Sequence, residues 1–110
     1  MRRGDFVTIV MSGDFGKPRP ALVIQANQFC EHATVTVLLV TSALVNAPLL
    51  RVTVEPSETN GLQKPSQIMI DKAMTVKQDK LGQPFGQAGN AIMLNVGRCQ
   101  CITTDFDGQA

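Results

Sequence analysis

Apolar residues in this chain come in short runs broken by clusters of glycine, proline, aspartate and serine, a pattern of strands and turns. Phe6 to Met11 predicts a first strand, with Phe6, Thr8 and Val10 on one face and Val7, Ile9 and Met11 on the other. Ser12 to Lys17 reads as a loop, and Phe15 is the apolar side chain inside it. A loop phenylalanine either caps the core, the commoner case, or stands out as a stacking platform for a base. The next strand, Arg19 to Gln25, is apolar at both parities from Ala21 to Ile24, which places it centrally, covered on both faces. Thr34 to Thr41 is rich in β-branched residues and is the clearest strand of the chain. Its apolar run stops at Thr41-Ser42, where hydroxyls replace methyls. Antiparallel pairing of these two strands, through a connection of roughly eight residues, brings Thr41 close to Arg19.

Leu49 to Val54, Ser66 to Ile70 and Ala73 to Val76 predict further strands, the last two separated at Asp71-Lys72. Asn60-Gly61, between Pro56 and Pro65, is a turn signal, and Lys77 to Gly89 is mostly turn. From Asn90 the period changes. Ile92, Val96 and Cys99 recur at helical spacing, with Ala88 and Ala91 extending the face and Asn90 as N-cap. This predicts a C-terminal helix of about ten residues, weakened by Gly97 and ended near Thr103-Thr104-Asp105. The whole is a mostly-β fold: a small, curled, antiparallel barrel with one terminal helix. It forms one domain over residues 1–110, with its core between about 3 and 102 and a loose tail over 103–110.

Composition narrows the function. With 44% hydrophobic and 17% charged residues, the 110-residue chain can bury a single core. A net charge of +1 lacks the global basic footprint of a typical nucleic-acid binder, so a polyanion must be met by a local cluster. Arg2, Arg3, Lys17 and Arg19 form one candidate cluster, and Lys64, Lys72, Lys77 and Lys80 another, each diluted by acids. No apolar segment follows Arg2-Arg3 and no run is long enough to span a bilayer, so a cytoplasmic protein without a membrane partner is expected. The three cysteines read as free thiols, and Cys99-Gln100-Cys101 has the wrong spacing for a zinc knuckle. Neither a metal nor a cofactor is expected.

Arg19 stands between Pro18 and Pro20. The prolines fix their own φ near −65°, and Pro20 pushes Arg19 toward extended geometry. A stiff mount at the mouth of a core strand suits a guanidinium that meets a phosphate or carboxylate; the alternative is an arginine neutralising Asp5 or Asp14. The sequence carries no Walker loop, GxGxxG, HExxH or nucleophile elbow. What remains is Arg19, the hydroxyls of Thr41 and Ser42, and the acid–base-capable pair Asp71-Lys72. Such a set could stabilise a dianionic phosphorane without a metal.

Arg3-Gly4-Asp5 leading into a strand, Gly16-Lys17-Pro18-Arg19-Pro20-Ala21-Leu22-Val23-Ile24, and Val37 to Thr41-Ser42 together resemble the MazF/PemK toxins. Asp71 with Thr75-Val76, and Ile92 to Val96, extend the likeness from about residue 2 to residue 102. The resemblance implies an SH3-like barrel of the CcdB/MazF type, assembled as a homodimer. It implies a metal-independent endoribonuclease (an mRNA interferase) cutting single-stranded RNA at specific sequences, with the 2′-OH as nucleophile and 2′,3′-cyclic phosphate and 5′-OH ends. It also implies a cognate antitoxin whose disordered tail covers the RNA groove. Carried over by position, Arg19 would balance charge on the pentacoordinate phosphate, Thr41 would orient a phosphate oxygen, and Asp71 matches an acid given the general-base role. Phe15, Lys17, Ser42, Asn46, Pro48 and Lys72 would contact RNA along the groove. The alternative is CcdB, a gyrase poison of the same fold, which acts through a Trp-Gly-Ile end; this chain has no tryptophan and ends Asp107-Gly108-Gln109-Ala110.

Overall fold

The computed structural model describes residues 1–10, 17–25 and 33–108, with side chains of the last helix described as far as Ile102. Strands β1 (Asp5–Val10), β2 (Pro18–Val23), β3 (Thr34–Thr41), β4 (Arg51–Val54), β5 (Ser66–Lys77) and β6 (Gly86–Gln87) precede one helix, α1 (Asn90–Gly108). They form one six-stranded sheet in the order β4-β5-β3-β2-β1-β6, every neighbour antiparallel. The expected curled, mostly-β architecture with a terminal helix is what the chain adopts.

Both faces of the sheet are covered, which is why β2 lacks a polar parity. Phe6, Leu22, Leu38, Val40, Ile68 and Ile70 point to one side, where Val96 and Cys99 of α1 complete the core. Val7, Ile9, Ala21, Val23, Val35 and Val37 form a second cluster on the other side, lidded by Met1, Leu39, Met74, Val76 and Leu81. Ala21, Leu22 and Val23 are each fully buried, as a strand between two neighbours and two layers must be. No helix among the described residues is long and apolar enough to cross a membrane.

Four expectations change. The two strands foreseen on either side of Asp71-Lys72 are one strand, β5, carrying a register slip. Leu38 pairs with Ala73 but Val40 with Ile68, so two steps along β3 are answered by five along β5. The extra length is a bulge that bends the strand and curls the sheet, with exposed Asp71 and Lys72 inside it. Second, β4 begins at Arg51, because the amides of Leu50 and Arg51 both donate to Ala47 O, at 3.0 and 2.9 Å, and hold a turn there. Third, α1 is 19 residues long and runs through Thr103-Thr104-Asp105 to Gly108. Threonine and aspartate are only weakly unfavourable in a helix, and neither proline nor glycine intervenes between Arg98 and Asp107. At its start, Met93 N–H donates to Gly89 O at 3.0 Å, so Gly89 and not Asn90 occupies the cap position.

Candidate active site

The site begins with two missing hydrogens. Ile24 N–H donates to Thr36 O at 3.1 Å, so the even-numbered residues of β2 aim their backbone groups at β3. Continuing toward the start of the strand, the next even positions are Leu22, Pro20 and Pro18. Leu22 pairs with Leu38, but Pro20 and Pro18 have no N–H to offer, and the β2–β3 pairing ends at Ala21↔Leu39. On the other edge Arg19 still pairs with Ile9, and Pro18 with Val10, in β1. Arg19 is therefore held by its backbone on one side while the seam on its other side opens.

An open depression of about 730 Å³ occupies that seam, lined by Lys17, Pro18, Arg19 and Pro20, by Val40, Thr41 and Ser42, and by Leu62, Gln63, Lys64 and Ser66. Extending the β2–β3 register by two residues places Arg19 opposite Thr41. The Thr41 hydroxyl accepts the Ala43 N–H at 3.0 Å, which leaves its own O–H as a donor to a bound anion. Lys17 and Lys64 supply ammonium groups on exposed stems. One guanidinium, two ammoniums and hydroxyls around a cavity of this size suit a phosphodiester. The Asp5 carboxylate is occupied elsewhere, accepting from Arg2 N–H at 2.8 Å and Gln87 Nε2 at 2.9 Å, and Asp14 lies outside the described residues.

Four expected site residues thus meet: Lys17, Arg19, Thr41 and Ser42. Asn46 and Pro48 are exposed on the same β3–β4 connection but do not line the depression. Asp71 and Lys72 also lie off it. Gln67 is the β5 partner of Thr41, and Asp71 is four residues farther on, a strand distance on the order of 10 Å. Phe15 lies outside the described residues. Gln63, Lys64 and Ser66 were not anticipated in the site; Lys64 was visible as a basic residue, but grouped with Lys72 and Lys77. No group of three or more metal-ligating side chains occurs among the described residues.

Beneath the depression, buried Gln67 fastens its rim. Its Nε2 donates to Val45 O at 2.9 Å and to Thr53 Oγ1 at 3.2 Å, and its Oε1 accepts Val45 N–H at 3.0 Å. The opposite rim is the 57–62 turn. There Asn60, also buried, accepts the amides of Ser57 and Leu62 and donates to Glu55 O, at 2.9, 3.0 and 2.8 Å. Gly61 adopts a φ of 70°, the left-handed geometry that the Asn-Gly pair announces.

Fold and site define a small barrel protein with a basic, hydroxyl-lined depression at a parted strand seam. The family model of PemK-like, MazF-like toxins of type II toxin–antitoxin systems matches residues 2–102, and the chain belongs to that family. The probable endoribonuclease MazF of Mycolicibacterium smegmatis is 41% identical over 109 residues, covering 98% of this chain and 100% of that one. Among solved structures, Mycobacterium tuberculosis toxin MazF-mt6 superposes with a TM-score of 0.78 at 20% identity, covering 92% of this chain and 96% of that one. An endoribonuclease from a mycobacterial species, in complex with its cognate antitoxin, gives 0.80 at 20% identity, covering 96% and 95%. These likenesses favour the RNA-cleaving toxins over the gyrase-poison alternative.

Proposed function

We propose that this chain is the toxin of a type II pair and cleaves single-stranded RNA at the Arg19–Thr41 seam. The observation that carries the reading is that Arg19 and Thr41 line one depression at a proline-opened seam, in a chain of this family. The substrate's 2′-oxygen attacks the adjacent phosphorus, and the P–O5′ bond breaks as the P–O2′ bond forms. A 2′,3′-cyclic phosphate and a 5′-hydroxyl result, and no metal is required. The charge gathering on the non-bridging oxygens meets the Arg19 guanidinium and the Thr41 O–H. Lys17 and Lys64 draw in the flanking phosphates, with a salt dependence that follows the number of contacts. One proton must leave the 2′-oxygen and one must reach O5′. Arginine is a poor acceptor and Asp71 does not line the depression, so solvent takes the proton from the 2′-oxygen, while Lys17, Lys64 or solvent supplies the one to O5′.

The partner in this reading is a cognate antitoxin, as for the endoribonuclease of the same fold solved with its own; its tail would lie in the same groove, on a homodimer working in the cytoplasm. The test is single-stranded RNA incubated with the protein in excess EDTA. Wild type should cut and leave 5′-hydroxyl ends, whereas Arg19→Ala should be slower by about 10²- to 10³-fold with an unchanged melting temperature. Unimpaired cleavage by Arg19→Ala, or activity only with added Mg²⁺, would overturn the reading.

A further inference from the structure

The basic depression does not end at Pro20. A second hollow of about 400 Å³ shares Pro18, Pro20, Leu62 and Gln63 with it and adds Thr8, Gly61 and Phe85. The two hollows differ in character. One gathers Arg19, Lys17 and Lys64; the other, among the described residues, is lined by no charged side chain but by proline, leucine, a phenyl ring and the polar Thr8 and Gln63. A nucleotide has the same two characters side by side, an anionic phosphate and a flat, weakly polar base.

Phe85 is 37% exposed, yet its position is fixed. Its ring lies 6.1 Å from that of fully buried Phe6, at an interplanar angle of 24°. Its amide donates to Phe6 O at 2.9 Å. Gly61 packs so closely that a Cβ there would stand 2.9 Å from the ring and 2.5 Å from the Phe85 carbonyl oxygen. A ring stacked on the core, yet open to a hollow beside a phosphate-sized basic site, presents a ready-made face for a second stack. Gln63, exposed and common to both hollows, carries an amide that can both donate and accept.

We propose that the Phe85 hollow is a nucleobase subsite, in which a base of single-stranded RNA stacks on Phe85 while its phosphate lies at Arg19. Gln63 reads the edge of that base and contributes to the choice of cleavage sequence. The inference rests on the RNA-cleaving reading above, and the experiment separates the two.

The chain has no tryptophan and no tyrosine, so Phe85→Trp installs the protein's sole indole. The probe is a mixed-sequence single-stranded oligonucleotide whose 2′-hydroxyls are replaced by hydrogen, so that it cannot be cut through the 2′-oxygen. Saturable quenching of the indole emission, over the same concentration range in which anisotropy reports binding, is expected. Phe85→Ala, checked for an unchanged fold by circular dichroism, should weaken binding about ten-fold. Gln63→Leu should relax the base preference at a single position of the mapped cleavage sites. If anisotropy shows the oligonucleotide bound while the indole emission stays unmoved, the subsite is wrong and the RNA reading stands. If wild type neither binds the oligonucleotide nor cuts RNA, both fall.

Discussion

Replacing Gln67 by leucine separates the support of the site from its chemistry. Gln67 sits opposite Thr41 in the β3–β5 ladder, and its buried carboxamide pairs with both backbone groups of Val45, as a neighbouring strand would. One side chain therefore ties down the connection that starts at Thr41-Ser42. Gln67→Leu removes those two bonds and the one to Thr53 while filling a similar volume. At about 0.5–1.5 kcal/mol each, three bonds amount to a gross loss of about 1.5–4.5 kcal/mol. Val45 and Thr53 are exposed, so water satisfies part of what is lost, and the added apolar burial offsets more. A net destabilisation of about 1–2 kcal/mol remains, which for a domain of this size lowers Tm by about 4–10 °C. Gln67→Glu should be worse at neutral pH, since a carboxylate would face Val45 O. Burial there raises the folded-state pKa of the new acid, so the folded state binds the proton more tightly and stability returns as the pH is lowered. Thermal melts followed by circular dichroism at two pH values, with cleavage assayed well below Tm, test both variants. A Gln67→Leu melt within about 1 °C of wild type, with full cleavage, would refute the clamp.

Thr41→Val keeps the β-branched shape but removes the hydroxyl, so cleavage should fall by about 10²-fold with little change in circular dichroism; undiminished cleavage would remove Thr41 from the chemistry. Gly61→Ala should cost about 1–3 kcal/mol in urea titrations, because a Cβ at φ 70° meets the Phe85 carbonyl oxygen at 2.5 Å. Sedimentation at micromolar protein should report a dimer, since Leu44, Val45, Leu49, Leu50, Leu94 and Ile102 are all exposed apolar residues; a monomer would refute the expected homodimer.

What could be read in advance divides along physical lines. The double-parity run Ala21 to Ile24 announced a central strand, because burial on two faces leaves no polar period. Antiparallel pairing of two well-marked strands was enough to bring Arg19 and Thr41 together. The slip in β5 was hidden, since register is settled by the partner strand and not by the strand's own composition. Asp71-Lys72 looked like a break and proved to be a bulge. The helix overran its expected end because Thr103 and Asp105 disfavour helix without forbidding it. Phe85 and Lys64 lay in aperiodic stretches, where only the packing of one loop on another shows which side chains meet. Gln67, a lone amide in an apolar strand, was the one visible anomaly in the Ser66 to Ile70 run, and it marks the rim clamp.

The prolines at the seam set stability against activity. A donor at position 20 would extend the β2–β3 ladder beside Val40 and draw the strands together, a gain of about 0.5–1.5 kcal/mol for each bond restored. Selection for a sturdier sheet would favour that exchange, and a closed seam would leave no room for a phosphate beside Arg19. Stabilising substitutions are usually sought where they are harmless to function; here the most obvious one in the sheet falls on the residue that keeps the proposed RNA cleft from healing.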